Sequence, residues 1–309
     1  MPAQQSDTPL RPGILLVDKP EEITSHGVVA RIRRAAGTRK VGHAGTLDPM
    51  ATGLLVTGIG SATRLLTHFV GLDKEYTATI RLGRATTTDD REGEPIGDFR
   101  DAGSIDDDAI AAAVGDLTGD ILQRPSSVSA IKVDGQRSYA RVRAGETVEL
   151  PSRPVTVSEF TVLSRSEAEG VDGGVDLEVR VVCSSGTYIR ALARDLGEAL
   201  DVGGHLTALR RTRVGPFVVD DARPLAAFDE PGSARPLIVP AGLAATRLFR
   251  AVALDAGQAI DLGNGKKIPV AASDSEVPVA AIGPEGSLVA LVTVTRGIAR
   301  VVTGFPKED

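Results

Sequence analysis

One carboxylate stands in the glycine-rich stretch of residues 40–60, which reads KVGHAGTLDPMATGLLVTGIG. Asp48 precedes a proline, and an Asp-Pro pair alone is typical of a turn or a helix cap. The glycines around it permit close backbone approach to a ligand, and Leu47, Met50 and Leu54 offer an apolar wall. A carboxylate in such surroundings loses water and needs a cationic partner to stay charged. Asp48 is therefore the first candidate for a catalytic group.

The motifs of several other reaction classes are missing from the sequence. It has no GxxxxGK[ST] phosphate loop and no G-x-S-x-G elbow, and the Gly-x-Gly at 58–60 lacks the third glycine of a dinucleotide site. None of the four histidines lies in an HExxH or paired-cysteine pattern, so we expect no metal. Cys183 ends an apolar stretch, which favours a small buried residue over a nucleophile. We therefore expect chemistry without a cofactor.

The composition is that of an ordinary globular protein with an uneven charge distribution. The 309 residues predict about two domains. The net charge of −6 argues mildly against a nucleic-acid partner. Basic residues nevertheless cluster at 31–40 and at 210–213, so an RNA-binding face and plain solvated charge both stay open. A lone cysteine, a polar N-terminus and the lack of 18 consecutive apolar residues predict a soluble, cytoplasmic protein.

Hydrophobic periodicity predicts the elements that position these residues. Thr24 or Ser25 can cap the first helix and Gly37 can end it. The strand that carries Tyr76 alternates cleanly between apolar and polar residues. Helices are predicted over 24–37, 62–70, 106–117 and 187–200, and strands over 13–20, 75–83, 128–136 and 175–183.

Strands and helices alternate irregularly, which predicts an α+β fold with a mixed, largely antiparallel sheet. We expect a disordered tail over 1–10 and a catalytic domain over 11–225. A segment rich in proline and alanine over 226–246 is typical of a linker or docking segment, and a small β-rich domain follows over 247–309.

Several long motifs resemble the TruB family of bacterial tRNA pseudouridine-55 synthases, where fifty-five is a position of the tRNA. The stretch GHAGTLDPMATGLLVTGIGSATRL resembles the family's catalytic segment. GILLVDKP, DKEYTATIRLG, RPSSVSAIKVDGQRSYARVRAGE and CSSGTYIRALARDLGEAL resemble four more family segments, in the same order. The resemblance covers about residues 12–215, and the C-terminal part resembles, more weakly, the family's PUA-like RNA-binding domain.

The resemblance implies three catalytic residues. Asp48 matches the catalytic aspartate, Tyr76 the tyrosine that stacks on the target base, and Arg190 the arginine that pairs with the aspartate. Asp has an unperturbed pKa of about 3.9 and starts ionised, and an arginine partner keeps it so when RNA excludes water. From the residues alone, Tyr76 could also be a core residue and Arg190 a solvated helix residue.

The resemblance also implies substrate contacts. His43 matches a histidine that helps to extrude the uridine, Leu209 an apolar pocket residue and Lys19 the lysine of the family's DKP stretch. His43 could equally be an ordinary loop histidine, and the arginines of 210–213 could be surface charge. The residues predicted to contact substrate or RNA are His43, Lys19, Tyr188, Leu209, Arg210 and Arg211.

The function that follows is the isomerisation of the T-loop uridine of tRNA to pseudouridine, after base flipping and with an aspartate nucleophile. The expected partner is the T stem-loop of tRNA, with no membrane, no cofactor, no metal and no obligate protein partner, and we expect a monomer. Two alternatives stay open: a non-catalytic RNA-binding chaperone that folds tRNA, and a synthase that depends on a guide RNA.

Overall fold

A computed structural model describes residues 11–126, 132–133, 136–137 and 150–306. The predicted tail and most of the strand predicted over 128–136 lie outside the described residues. Backbone contacts divide the chain into two units. The first unit holds the residues up to Pro49, residues 53–70 and those from Pro216 onwards, and the second holds 50–52 and 71–215.

The described elements are six α-helices, five short 3-10 helices and twenty strands. The helices are α1 (Ser25–Ala36), α2 (Leu66–Val70), α3 (Asp107–Asp116), α4 (Ile189–Ala199), α5 (Ala241–Leu248) and α6 (Ala256–Gly263). The strands are β1 (Gly13–Lys19), β2 (Val41–His43), β3 (Thr52–Ile59), β4 (Lys74–Leu82), β5 (Ala85–Thr86), β6 (Pro95–Ile96), β7 (Gly119–Gln123), β8 (Lys132–Val133), β9 (Gln136–Arg137), β10 (Arg153–Glu167), β11 (Val175–Cys183), β12 (Gly204–Val214), β13 (Phe217–Val218), β14 (Arg223–Pro224), β15 (Val239–Pro240), β16 (Ala251–Ala253), β17 (Ile268–Pro269), β18 (Ser275–Ile282), β19 (Leu288–Thr295) and β20 (Ile298–Gly304).

Helix α1 begins and ends where the sequence predicts. The Thr24 side chain accepts a hydrogen bond from the Gly27 amide at 3.0 Å, and Gly37 ends the helix at φ +68°, in the left-handed region that glycine adopts without strain. Its apolar stripe packs in the core of the first unit. That core consists of Leu15, Val17, Val28, Val29, Ile32, Ala35, Ala36, Val41, Leu55, Ile59, Leu225, Phe228 and Ala234.

Strand β1 is the centre of the sheet in the first unit. It pairs antiparallel with β3 and β15 and parallel with β14, while β2 pairs antiparallel with β3. The segment predicted as a linker or docking segment contributes Phe228 and Ala234 to the same core as α1. Those contacts agree with docking, although the predicted domain boundaries remain a prediction.

The C-terminal part of the first unit is rich in strands, as predicted. Its five strands lie in the order β16-β18-β19-β20-β17, and all neighbours except the parallel pair β16 and β18 run antiparallel. Val252, Leu262, Val279, Val292 and Ala299 belong to the core of this sheet, which is separate from the core around α1.

The second unit is built on the antiparallel order β12-β4-β11-β10-β7. Strand β4 alternates between buried and half-buried residues along its whole length, which confirms the predicted pattern. Helix α4 packs on β12 where a Cβ on Gly197 would lie only 2.1 Å from the Gly204 nitrogen. Glycine is required there because any side chain would push the helix off the sheet.

The predicted fold class is confirmed: both units combine helices with mixed or antiparallel sheets. Among the described residues, no helix is long and apolar enough to span a membrane.

Candidate active site

Asp48 lies in the connection between β2 and β3 and is half-buried. Two glycines of this region adopt backbone conformations that other residues rarely take: Gly45 at φ +92° and Gly53 at φ +98°. The sequence singled out both as sites of close backbone approach. Gly45 lies at a bend before Asp48 and Gly53 near the start of β3, so neither position places a side chain beside the loop.

Ser25 fixes the backbone immediately before Asp48. Its hydroxyl donates to the Leu47 carbonyl at 3.1 Å and accepts from the Leu47 amide at 2.9 Å. Ser25 is 1% exposed and Leu47 4% exposed, so water is excluded from both bonds. Such buried bonds are costly to remove, because the backbone groups would be left without partners.

Lys19 fixes the backbone immediately after Asp48. Its side chain is fully buried, and the ammonium donates to the carbonyls of Pro20 and Ile23 at 2.8 Å and of Pro49 at 3.2 Å. Lys19, which the resemblance places among the substrate contacts, is thus a buried residue that holds the backbone beside Asp48. A buried ammonium is stable only when such acceptors surround it.

His43 ends β2 and is half-buried, and its ring meets the edge of the His26 ring. The centroids are 5.4 Å apart and the ring planes form an angle of 85°. His26 is an exposed residue in the first turn of α1, next to the buried Ser25. His26 therefore contacts His43, and its neighbour Ser25 contacts Leu47. One turn of α1 thus touches both ends of the segment that precedes Asp48.

Tyr76 lies on β4 in the second unit and is 8% exposed. Its partner on β11 is Val181 and its partner on β12 is Arg211. Leu209 pairs with Ala78, two residues along β4, so Leu209 is on the same face of the sheet as Tyr76. The structure thus brings together the predicted stacking residue and the predicted apolar pocket residue.

The structure separates the arginines predicted to contact RNA. Arg211 shares the face of Tyr76 and is 1% exposed, which argues against a contact with a phosphate at the surface. Arg210 is half-buried on the opposite face and donates to the Thr52 hydroxyl at 3.4 Å. The alternation along β12 explains the split, because neighbouring residues of a strand point to opposite faces.

Arg190 lies in the first turn of α4 and is 4% exposed, so it is a buried residue and not a solvated one. Its guanidinium donates to the Thr88 carbonyl at 2.9 Å and to the Asp90 carboxylate at 3.2 Å. Asp90, at 2% exposed, also accepts from the Thr88 hydroxyl at 2.5 Å. The pairing of Arg190 with Asp48 remains a prediction.

A second ion pair lies one turn further along α4. Arg194 donates to the Asp89 carboxylate at 3.2 Å and to the Arg124 carbonyl at 2.8 Å. Asp89 also accepts from the Ser126 hydroxyl at 2.6 Å and holds the unusual backbone angle φ +60°. The neighbouring aspartates Asp89 and Asp90 thus bind two arginines of one helix.

Tyr188 precedes α4 and is tied to Gln123 by two hydrogen bonds. The Tyr188 amide donates to the Gln123 side chain at 2.8 Å, and that side chain donates back to the Tyr188 carbonyl at 3.1 Å. The guanidinium of Arg153 lies over the Tyr188 ring, 5.0 Å from its centroid. Tyr188 is half-buried, and an aromatic ring that is partly exposed and contacted by a cation suits the stacking of a base.

Burial shifts two titratable groups next to Tyr76. Lys74 lies opposite Cys183 across the strand pair β4 and β11, and both are buried. Burial, helped by the nearby charge of Arg211, lowers the pKa of Lys74 from 10.5 to about 8. Burial also raises the pKa of the Cys183 thiol from 9.0 to about 11. A thiol with so high a pKa is a poor nucleophile, as the sequence predicted.

Sequence reasoning missed several of these residues. Ser25 was considered only as a helix cap, and Asp90 and Gln123 were not considered. The one available signal was that two adjacent aspartates follow three threonines at 86–88. If such a run is buried, both carboxylates need partners. Nothing in the sequence around Gln123 indicates its contact with Tyr188.

Comparison with known proteins identifies the chain's relatives. A family model described as "TruB family pseudouridylate synthase (N terminal domain)" matches residues 33–189, and one described as "tRNA pseudouridylate synthase B C-terminal domain" matches 190–230. The chain is 56% identical to tRNA pseudouridine synthase B of Leifsonia xyli, covering 96% of this chain and 97% of that protein. It is 55% identical to the protein of that name from Paenarthrobacter aurescens, covering 95% and 94%.

A solved structure agrees with these relatives. "Structure of H/ACA RNP bound to a substrate RNA containing 2'-deoxyuridine" matches with a TM-score of 0.69 and 27% identity, over 96% of this chain and 86% of that one. The fold is therefore that of a pseudouridine synthase. Within this class the chain belongs to the TruB family, because a family model covers half of it and relatives above 50% identity span nearly all of it.

Proposed function

We propose that this chain isomerises the T-loop uridine at tRNA position 55 to pseudouridine. The observation that supports this most is a single loop carboxylate, Asp48, whose backbone is fixed on both sides by Ser25 and Lys19. It occurs in a chain 56% identical to a tRNA pseudouridine synthase B. The relatives' name gives tRNA as the substrate and pseudouridine as the product, and the resemblance to the TruB family adds the position.

The reaction needs a nucleophile but no redox partner and no outside group. The bond between uracil N1 and C1′ of the ribose breaks, the uracil rotates, and a new bond joins C5 to C1′. Asp48 supplies the electron pair by adding to C1′ or to C6 of the ring. After the new bond forms, the proton at C5 leaves to solvent, N1 takes up a proton, and the departing carboxylate regains its charge. Atoms and charge balance without a cofactor.

The backbone bonds around Asp48 explain how its carboxylate is aimed. Ser25 and Lys19 hold the carbonyls of Leu47 and Pro49, the residues on either side of Asp48. These bonds restrict the position of the Asp48 backbone. Preorganisation of this kind places a nucleophile without cost at the moment of reaction.

The uridine must leave its stack before Asp48 can reach it, which costs a few kcal/mol. We assign Tyr76 to stack on the flipped base, since stacking on an aromatic ring returns about 1–3 kcal/mol. Leu209 offers an apolar contact on the same sheet face, and His43 is assigned to the flipping step. Arg190 keeps charge balanced around the reacting groups.

We propose that the chain acts on tRNA without a guide RNA or a protein partner, as a monomer in the cytoplasm. The curated relatives carry a name for an enzyme that acts on tRNA. The H/ACA neighbour is described as a ribonucleoprotein, but it shares 27% identity against their 55–56%.

The first experiment measures hydrogen release from C5. A tRNA transcript tritiated at uridine C5 is incubated with the chain alone, with its Asp48→Asn variant and with Asp229→Asn as a matched control. Asp229 pairs with Arg31 at the surface, 3.1 Å away. We expect about one tritium released per tRNA by the wild type and the control, and a rate at least about a thousandfold lower for Asp48→Asn.

Two outcomes would overturn the proposal. If the wild type binds the tRNA and releases no tritium, the chain is a binding protein or depends on a guide. If Asp48→Asn releases tritium at the wild-type rate, another residue is the nucleophile.

A further inference from the structure

A basic surface lies at the end of α1, outside the residues assigned to the reaction. Residues 31–40 contain five arginines and lysines and no carboxylate, in a chain whose net charge is −6. Four of the five are exposed. These four, Arg33, Arg34, Arg39 and Lys40, are called the α1 basic patch.

The chain reversal after α1 makes this patch compact. Gly37, at φ +68°, turns the backbone back on the helix, and the Thr38 amide bonds to the Arg33 carbonyl at 3.2 Å. The Arg33 guanidinium then reaches the Val41 carbonyl at 3.1 Å, beyond Lys40 in sequence. The end of α1 and the start of β2 are therefore held together at Arg33 and Val41.

Most of this charge is not neutralised within the protein. Arg31, outside the patch, pairs with Asp229 at 3.1 Å. In the part of the chain that the structure describes, no carboxylate pairs with Arg33, Arg34 or Arg39. Repulsion among such neighbours costs free energy, so a cluster of this kind calls for an external anion.

Helix stability accounts for only part of the patch. Arg33 and Arg34 lie in the last turn of α1, where cations interact favourably with the helix dipole. Arg39 and Lys40 lie beyond Gly37, where that effect has faded. A protein partner is disfavoured, because the centre of a protein interface needs apolar anchors and the apolar residues of this turn, Ala35 and Ala36, are buried.

The patch leads directly to the catalytic loop. Lys40 precedes β2, and its carbonyl accepts from the Gly60 amide at 2.8 Å, which fixes it to the end of β3. Along β2, Lys40 is about 10 Å from His43 at the usual rise of a strand. That length corresponds to the rise of about three nucleotides along the axis of a duplex.

We propose that the α1 basic patch binds backbone phosphates of the tRNA a few nucleotides from the uridine that is isomerised. This inference rests on the proposed function. Phosphate contacts set affinity and register and carry no sequence information. The patch thus positions the T arm, while Asp48 and its neighbours act on the base.

The test compares two variants with the same change in charge. Arg34→Gln/Arg39→Gln removes two patch charges, and Arg84→Gln/Arg100→Gln removes two exposed charges of the second unit. The dissociation constant for the tRNA transcript is measured at four salt concentrations, and tritium release is measured at saturating tRNA. Thermal unfolding of all three proteins shows whether the substitutions disturb the fold.

We expect the patch variant to bind about three- to tenfold more weakly at 0.1 M salt, while the control binds as the wild type does. The slope of log affinity against log salt should fall by about one for each phosphate that the variant no longer binds. The rate at saturating tRNA should stay within twofold, because the patch does not touch the reacting atoms.

Equal salt slopes for the wild type and the patch variant would overturn the proposal, even if affinity changed. If the patch variant binds tRNA as tightly as the control does, the proposal is also overturned. The patch would then serve to bind a protein partner or to stabilise the helix. Failure of the proposed function is separate, since it would show as no tritium release by the wild type.

Discussion

The Asp48 loop and the start of helix α4 hold their key residues in opposite ways. Around Asp48, bonds to neighbouring backbone groups fix the main chain and leave the side chain half-exposed. At α4, the side chain of Arg190 is itself fixed, by the Thr88 carbonyl and the Asp90 carboxylate, and is 4% exposed.

The difference follows from what each group is assigned to do. A nucleophile must form and break a bond, so its backbone can be fixed but its carboxylate must stay accessible. An arginine that balances charge needs a constant position and gains from a dry environment, where charge interactions are stronger. Substitutions around Arg190 should therefore mainly lower stability. Substitutions around Asp48 should mainly lower the reaction rate.

The largest effect on stability is expected from Asp90→Asn. It removes a buried carboxylate that faces Arg190 and leaves a buried guanidinium with less compensation, which costs about 3–5 kcal/mol. The free energy of unfolding, measured by urea titration, should fall by that amount. Asp201→Asn is the control, because Asp201 pairs with Arg100 at the surface and exposed pairs contribute little.

An equal loss in the two variants would contradict the assignment of a buried pair. A large loss of activity with unchanged stability would mean that Asp90 acts in the reaction and that Arg190 does not depend on it for burial.

A smaller effect on stability and a clear effect on rate are expected from Ser25→Ala. The variant leaves the buried amide and carbonyl of Leu47 without the hydroxyl, which costs about 1–3 kcal/mol. Because Asp48 is the next residue, we expect the isomerisation rate at saturating tRNA to fall about tenfold. The dissociation constant for tRNA should stay the same.

Ser233→Ala provides the matched control, since the Ser233 hydroxyl donates to the Glu230 carbonyl on an exposed turn. The comparison between loop and helix would fail if Ser25→Ala lowered stability without changing the rate, because Ser25 would then be an ordinary core residue.

Local elements were predictable from the sequence because their signals are local. Thr24 and Gly37 mark the two ends of α1, and both act as the cap types predict. The alternation around Tyr76 gave β4 and its buried face. The capping position also had a consequence that the sequence left open: because Thr24 caps the helix, the Ser25 hydroxyl is available to Leu47, 22 residues away.

Long-range partners were not predictable for a physical reason. The apolar stripe of α4 excludes Arg190 and Arg194, so periodicity alone treats both as outside the core. They are buried because Asp90 and Asp89, about a hundred residues earlier, supply the opposite charges. A buried charge is stable only with its partner, and one sequence does not say which distant carboxylate that is.

The smallest effect concerns pH, and it belongs to the second unit, where Lys74 of β4 and Cys183 of β11 lie opposite each other. Burial lowers the pKa of Lys74 to about 8 from 10.5, so above pH 8 the unfolded chain binds a proton that the folded one has released. Stability therefore rises with pH, by about 1.4 kcal/mol per unit.

Burial raises the pKa of Cys183 to about 11 from 9.0, so above pH 9 the folded chain keeps a proton that the unfolded one loses. That contribution has the opposite sign.

The two slopes should cancel above pH 9, so the wild type gains about 1 kcal/mol between pH 8 and 9 and then levels off. Urea unfolding at half-unit steps measures this profile. In Cys183→Ala the rise should continue towards pH 10, because only the lysine contribution is left. In Lys74→Met stability should be level to pH 9 and then fall. A flat profile in all three proteins would mean that neither pKa is shifted: Cys183 ionises at its ordinary pKa, and Lys74 stays charged in the folded state, with its ammonium held by the Leu72 carbonyl to which it donates at 2.5 Å.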